Sequence, residues 1–174
     1  MSLHADLLAK TLELYDIPAL LGSESKTLSL ARLLTSGWYK ADKSGAWARG
    51  DTSIVKFRLT GSFNRNTGLR SEKVTVTIEG KYLATVEKKS GIRVNGSDKR
   101  DVDLSHFSFD VGAEDIPGNG CIEITIDNYK KKSPLEMMLG GDHRKLSFKI
   151  SRLTVVWENK GKISHKKVLK FVKE

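Results

Sequence analysis

The sequence predicts an all-β fold, an antiparallel β-sandwich of jelly-roll type with a short N-terminal helix ahead of it. Three observations carry this. Apolar residues recur at every second position in six separate runs, turn residues punctuate those runs, and helical spacing is confined to residues 4–15 and one later loop. The 174 residues suit one domain with a short extension. A chain of this size buries roughly 68–70% of its unfolded surface, enough for a core without staples.

Taken in order, residues 4–15 are good helix formers. Leu8, Leu12 and Tyr15 share one face, and Pro18 stops the run. Residues 1–26 therefore read as a helical lead-in, 27–157 as the sandwich, and 158–174 as a basic tail or extra strand. From about residue 26 the period becomes two. Leu28 and Leu30 alternate with Ser29 and Ala31, and Val55, Phe57 and Leu59 with Lys56, Arg58 and Thr60. Val74, Val76 and Ile78 follow the same rule, as do Phe107, Phe109 and Val111, then Ile122, Ile124 and Ile126, then Leu146, Phe148 and Ile150. Each run puts an apolar face inward and a polar face outward, the habit of antiparallel sheets with one wet side. Val55, Phe57, Val76, Ile78, Phe109, Ile124, Phe148 and Ile150 are the expected core.

The punctuation agrees. Glu79-Gly80-Lys81 separates Val74–Ile78 from Tyr82–Val86 and suggests a hairpin, and Asn95-Gly96 is a tight-turn dipeptide. Pro117-Gly118-Asn119-Gly120 breaks the chain before the Ile122 run. Ser133-Pro134-Leu135-Glu136 is a capping box with proline where its missing N–H costs nothing, so one or two helical turns are expected before Gly140-Gly141.

Composition narrows the function classes. No apolar run approaches the ~20 residues of a spanning helix, and the N-terminus lacks a charged-then-apolar leader pattern. Met1-Ser2-Leu3 reads as an added start, so the chain is expected to be a domain of a longer protein, cytoplasmic or associated with the cell envelope. Cys121 is the single cysteine, which removes internal disulfides and cysteine-based zinc sites. The net charge is +9, concentrated in residues 158–174 (six Lys against Glu158 and Glu174) and in Lys130, Lys131, Lys132, Arg144 and Lys145. Such clusters form either a solvated face or a contact for anionic lipid or a protein partner. Nucleic acid is not an expected partner, because recognition-helix and strand-aromatic patterns are missing.

Catalytic sets are not advertised. The histidines His4, His106, His143 and His165 show no metal-ligand spacing, no glycine-rich phosphate loop opens a helix, and Cys121 begins a strand. Neither a metal nor a cofactor is expected, and no catalytic residue is assigned. The unusual stretch is residues 37–51, where Trp38 and Trp47 lie among glycines and charges. Tryptophan joins a large apolar area to one donor. The pair either plugs one end of the sandwich or offers a platform for a sugar ring, with Asp42, Arg49 and Asp51 as polar neighbours.

The run Gly37-Trp38-Tyr39-(x2)-Asp42-(x2)-Gly45-Ala46-Trp47-(x2)-Gly50 resembles the "GWS-x-PE-x-WG-x-W" signature of a bacterial β-sandwich accessory domain. That domain is found appended to glycosyltransferases and to polysaccharide or phosphoglycerol-transferase-like envelope proteins. Ser133-Pro134-(x5)-Gly140-Gly141-Asp142-His143-Arg144-Lys145-Leu146 resembles its second signature, and Val74–Val86 its "V-x-V-x-x-N-G" segment. The resemblance covers about residues 27–157. Ala41 replaces the family proline, Asp42 its glutamate and Ser44 its first tryptophan of the "WG" pair. It implies a carbohydrate-binding-module-like, non-catalytic accessory domain of a surface-polysaccharide glycosyltransferase-type protein, contacting carbohydrate or positioning the parent's catalytic domain. The alternatives are a structural docking module with a basic surface, and a transferase or hydrolase in its own right. The candidate ligand-binding residues are Trp38, Asp42, Trp47, Arg49, Asp142 and Arg144. Asp142 and Arg144 are also expected to tie the 140–145 turn to the 38–47 loop.

Overall fold

The computed structural model describes residues 19–21, 28–59, 74–117, 120–159 and 163–172. The helix expected over 4–15 and the middle of the Pro117–Gly120 turn lie outside the described residues. Among the described residues the chain forms eleven strands: β1 (Ala19–Leu21), β2 (Leu34–Ser36), β3 (Ala46–Trp47), β4 (Thr52–Leu59), β5 (Val74–Tyr82), β6 (Ser90–Val94), β7 (Arg100–Val102), β8 (His106–Val111), β9 (Cys121–Asp127), β10 (Phe148–Asn159) and β11 (Ile163–Lys170).

They make two sheets. One runs β1-β4-β9-β6-β7, with β2 also on β4; the other runs β11-β10-β5-β8, with β3 also on β10. Every pairing is antiparallel except β1 on β4. The all-β antiparallel sandwich is thus the observed fold. Alternation of side chains explains why the sheets close on each other. On β4 and β9, Val55, Phe57, Ile122, Ile124 and Ile126 are fully buried; on the facing sheet so are Val76, Ile78, Phe148, Ile150, Leu153 and Val155, and Phe109 of β8 is nearly so. Fully burying such a side chain contributes about 1.5–3 kcal/mol, an upper figure because the unfolded chain already hides some area. All eight expected core residues lie inside. β11 continues the second sheet along β10, and its Leu169 sits opposite Leu153 and is itself buried.

Three local expectations are corrected. Leu28 and Leu30 do not begin a strand: Leu30–Leu33 is a 3-10 turn whose N-cap is Ser29, with Leu30 and Leu33 buried on one side. Two alternating residues are too short a run to separate the periods. Gly80 is not a hairpin turn, since β5 runs straight through it. A Cβ there would lie 2.2 Å from the Lys149 carbonyl oxygen and 2.5 Å from the Phe148 ring, so the glycine serves close strand approach beside the register shift at Ser151. The reversal comes instead after Tyr82.

The Ser133 capping box forms: Ser133 N–H donates to Glu136 Oε2 (2.8 Å) and Glu136 N–H to Ser133 Oγ (3.2 Å). It caps one turn, within the one or two expected, and Met138 at φ +56° ends it. Finally, Ser147 and Lys149, at polar alternate positions of the Leu146–Ile150 run, are buried; on Lys149 the Asp42–Gly45 tip and the ring of its β3 partner Trp47 fold over the outer face of the sheet. Asn95-Gly96 behaves as expected, with both residues at positive φ in a tight turn.

Candidate functional site

One end of the sandwich gathers three connections: residues 37–51 before β4, 83–89 between β5 and β6, and 128–147 between β9 and β10. Residues 37–51 fold back on themselves as a small hairpin. Tyr39 N–H donates to Trp47 O (2.9 Å), Arg49 N–H to Gly37 O (2.7 Å), and Asp42 and Gly45 exchange backbone bonds at the tip. The second arm holds β3, which lies on β10, so a loop by sequence is fixed to the sheet.

Asp42 builds the tip. Its Oδ1 accepts from Ser44 N–H (2.7 Å), Ser44 Oγ–H (2.6 Å) and Gly45 N–H (3.1 Å). Its Oδ2 accepts from Lys149 Nζ (2.9 Å). The Ser44 hydroxyl, and after it Lys149, hold this carboxyl far below the ordinary carboxylate range. Lys149 comes from the outer face of β10, opposite Phe148 and Ile150, yet is only 6% exposed because the hairpin lies over it. A buried ammonium needs compensation, and it has three sources: Asp42, Ser44 Oγ at 2.6 Å, and the Trp47 ring, whose centroid is 5.6 Å from Nζ.

Tyr39, half-buried, carries two guanidinium groups over its ring. The central carbon of Arg49 lies 5.6 Å from the ring centroid and that of Arg144 5.2 Å. Arg144 reaches across from the 140–145 turn and is itself locked by Asp142, with Nε 3.0 Å from each carboxylate oxygen and Nη2 2.6 Å from Oδ2. Arg144 thereby holds Asp142 at a pKa of about 2, and Asp142 raises that of Arg144. Arg49 is exposed and forms no ion pair among the described residues. Beside Tyr39 lies a shallow depression of about 210 Å³ lined by residues that include Leu34, Trp38, Tyr39, Lys40 and Ala41. That is smaller than the ~300–1,000 Å³ of enclosed small-molecule pockets, so it suits the edge of a larger ligand.

The six sequence candidates therefore divide. Trp38 is half-buried against the core and spends its only donor on Ile54 O (2.9 Å), anchoring the hairpin. Asp42 is committed to the tip and to Lys149. Trp47, half-buried, packs under Lys149. Arg49, Asp142 and Arg144 face the open side around Tyr39. The link between the 140–145 turn and the 37–51 loop is made by Arg144 on Tyr39, with Asp142 acting through Arg144. Asp51 points away and pairs with Lys131. Tyr39 and Lys149 are not among the sequence candidates: Tyr39 was visible as the aromatic in Gly37-Trp38-Tyr39, whereas Lys149 carried no signal.

Among the described residues no three His, Cys, Asp or Glu side chains gather to hold a metal ion, and no helix is long and apolar enough to cross a membrane. The arrangement offers fixed cations and aromatic faces, suited to binding.

The carboxylates at this end set an acid sensitivity. Asp142 is held at about 2 by Arg144, and Glu136 at about 2 first by Lys145 and then by Ser133 N–H. Their pKa values in the unfolded chain are about 3.9 and 4.3. Folded values below unfolded ones stabilise the fold above the unfolded pKa, and that contribution is lost as pH falls toward the folded value. Melting temperature is therefore expected to decline as pH falls from about 4.5 to 2, with a shallower decline in Asp142→Asn; thermal melts across that range check it.

No protein-family model matches the chain, and no curated protein and no solved structure matches it significantly.

Proposed function

We propose that the chain is a non-catalytic β-sandwich accessory domain that contacts anionic carbohydrate through the Tyr39–Arg49–Arg144 surface. The setting, a surface-polysaccharide glycosyltransferase-type protein, follows from the motif resemblance of residues 37–50 and 133–146. One observation carries the binding role: Arg49 stands over the Tyr39 ring, exposed and with no carboxylate partner among the described residues, on a hairpin that β10 holds rigid. The Tyr39 ring positions the Arg49 guanidinium, which pairs with a carboxylate or phosphate substituent of the sugar. The neighbouring Lys40 and Lys43 are exposed and add positive potential. The hairpin is held by its own backbone bonds and by Ile54 O and Lys149, so a ligand meets a preformed surface and little ordering is lost on binding.

The test is calorimetric titration with anionic and neutral polysaccharides of bacterial envelopes. Wild type should bind an anionic member, and Arg49→Gln should weaken binding about tenfold, the value of one charge-assisted hydrogen bond. Tyr39→Ala, with melting confirming that it is folded, should weaken it as well. Failure of wild type to bind any of them would remove the reading and favour the structural docking module.

A further inference from the structure

The same end of the sandwich carries a feature that carbohydrate contact does not use. The turn at residues 134–139 exposes three large apolar side chains, Leu135 (44%), Met138 (92%) and Leu139 (63%). It is not a loose loop. The Ser133–Glu136 capping box holds its start, Leu139 N–H closes it on Pro134 O (2.9 Å), and Leu135 N–H donates to Asp142 O (3.1 Å). Thr85 Oγ1 donates to Met137 Sδ (3.2 Å), tethering the turn to the neighbouring connection. Below it, Lys132 and Leu146 exchange backbone bonds of 2.9 and 2.8 Å and close the base of the loop. Met138 sits at φ +56°, a conformation that costs a side-chain-bearing residue energy and that Gly or Asn adopts more readily. A fixed, strained turn thus presents methionine and leucine outward.

The turn has a basic collar. The three connections at this end, residues 37–51, 83–89 and 128–147, carry ten Lys and Arg against five Asp and Glu; Lys130 pairs with Glu87, Lys131 with Asp51, Arg144 with Asp142 and Lys145 with Glu136, Lys132 is exposed, and the surround stays net positive. An apolar tip within a cationic collar complements a bilayer whose surface is anionic and whose interior is apolar. We propose that the 134–139 turn docks the domain onto an anionic lipid surface, with Leu135, Met138 and Leu139 entering the headgroup–acyl boundary and the collar resting on lipid phosphates. The apolar tip takes no part in the carbohydrate reading, although Arg144 is common to both surfaces, and docking would set the carbohydrate surface beside a membrane.

The test is co-sedimentation with vesicles of phosphatidylcholine, alone and with about one third phosphatidylglycerol. Wild type should partition onto the anionic vesicles, less so as salt rises. Met138→Ser/Leu139→Ser should reduce partitioning at least about tenfold, because two apolar side chains lose their burial. Both positions are exposed, so the variant's melting should match wild type. Met138→Trp should add a blue-shifted emission component on anionic vesicles. Failure of wild type to bind anionic vesicles at low salt overturns the proposal. So does equal binding by the double serine variant, which would leave a purely electrostatic contact. Concentration-dependent dimerisation of wild type, abolished by the serine variant and unaffected by vesicles, would assign the turn to a second copy of the chain and overturn it too. Vesicles without glycan and glycan without vesicles keep this outcome separate from the carbohydrate test.

Discussion

Replacing Phe148 by alanine is expected to destabilise the domain by about 3–5 kcal/mol, the range for removing a fully buried aromatic side chain. Phe148 has no exposed surface, and its ring lies 5.2 Å from that of Tyr82 at 50°, so aromatic contact is lost along with burial. Collapse of the void is restricted, because Gly80 already draws β5 close against β10 and Ala48 N–H bonds to Phe148 O at 2.8 Å. At about 2–4 °C per kcal/mol for a chain of this length, the melting temperature should fall by about 6–20 °C. Since β3 hangs on the same stretch of β10, the variant should also loosen the 37–51 hairpin. A melt of the variant within a few degrees of wild type would contradict the packing described.

Gly80→Ala should be nearly as damaging, by the opposite route. The new Cβ would meet the Lys149 carbonyl oxygen at 2.2 Å, and backbone cannot swing aside as a flexible side chain can. Overpacking of this kind costs about 1–3 kcal/mol, and here the relief is separation of β5 from β10. Gly141→Ala is the control, since nothing lies near its added Cβ and a change within about 0.5 kcal/mol is expected there. Denaturant titration of the two variants checks the contrast.

These two positions also mark what the sequence made legible. Phe148 was readable as core because it belongs to an alternating run whose period matches a strand with one buried face. The same logic placed Val55, Phe57, Val76, Ile78 and Ile124, and it needed no knowledge of partners. Gly80 was misread because a glycine between two apolar runs looks the same whether the chain turns there or a second strand presses against it. Only the tertiary neighbour, the β10 backbone, distinguishes the cases. Lys149 failed for a related reason. Alternation predicts which side a residue faces but not what covers that side, and here the Asp42–Ser44 tip and the Trp47 ring enclose it. Leu30 failed because a run of two alternating residues is consistent with a 3-10 turn once Ser29 supplies a cap.

The candidate site was legible by residue type and only partly by role. Trp38, Trp47, Asp42, Arg49, Asp142 and Arg144 do lie at one end of the sandwich, in connections about 100 residues apart in sequence. Which of them hold the hairpin and which face outward depends on hydrogen bonds that spacing does not encode. Trp38 binds Ile54 O and Asp42 binds Lys149, whereas the Arg49 side chain, among the described residues, meets only the Tyr39 ring. Tyr39 gained its importance from Arg144, which the chain delivers through a separate connection.

The most direct measurement is residue-resolved NMR during titration with an anionic envelope polysaccharide. The account predicts saturable shifts in Tyr39, Arg49 and Arg144 and in the adjoining backbone of residues 38–51 and 140–145, with the core amides of β4 and β9 unchanged. Saturable shifts centred elsewhere, on β8 or the outer face of β11 for example, or no saturable shift with any anionic glycan, would contradict it.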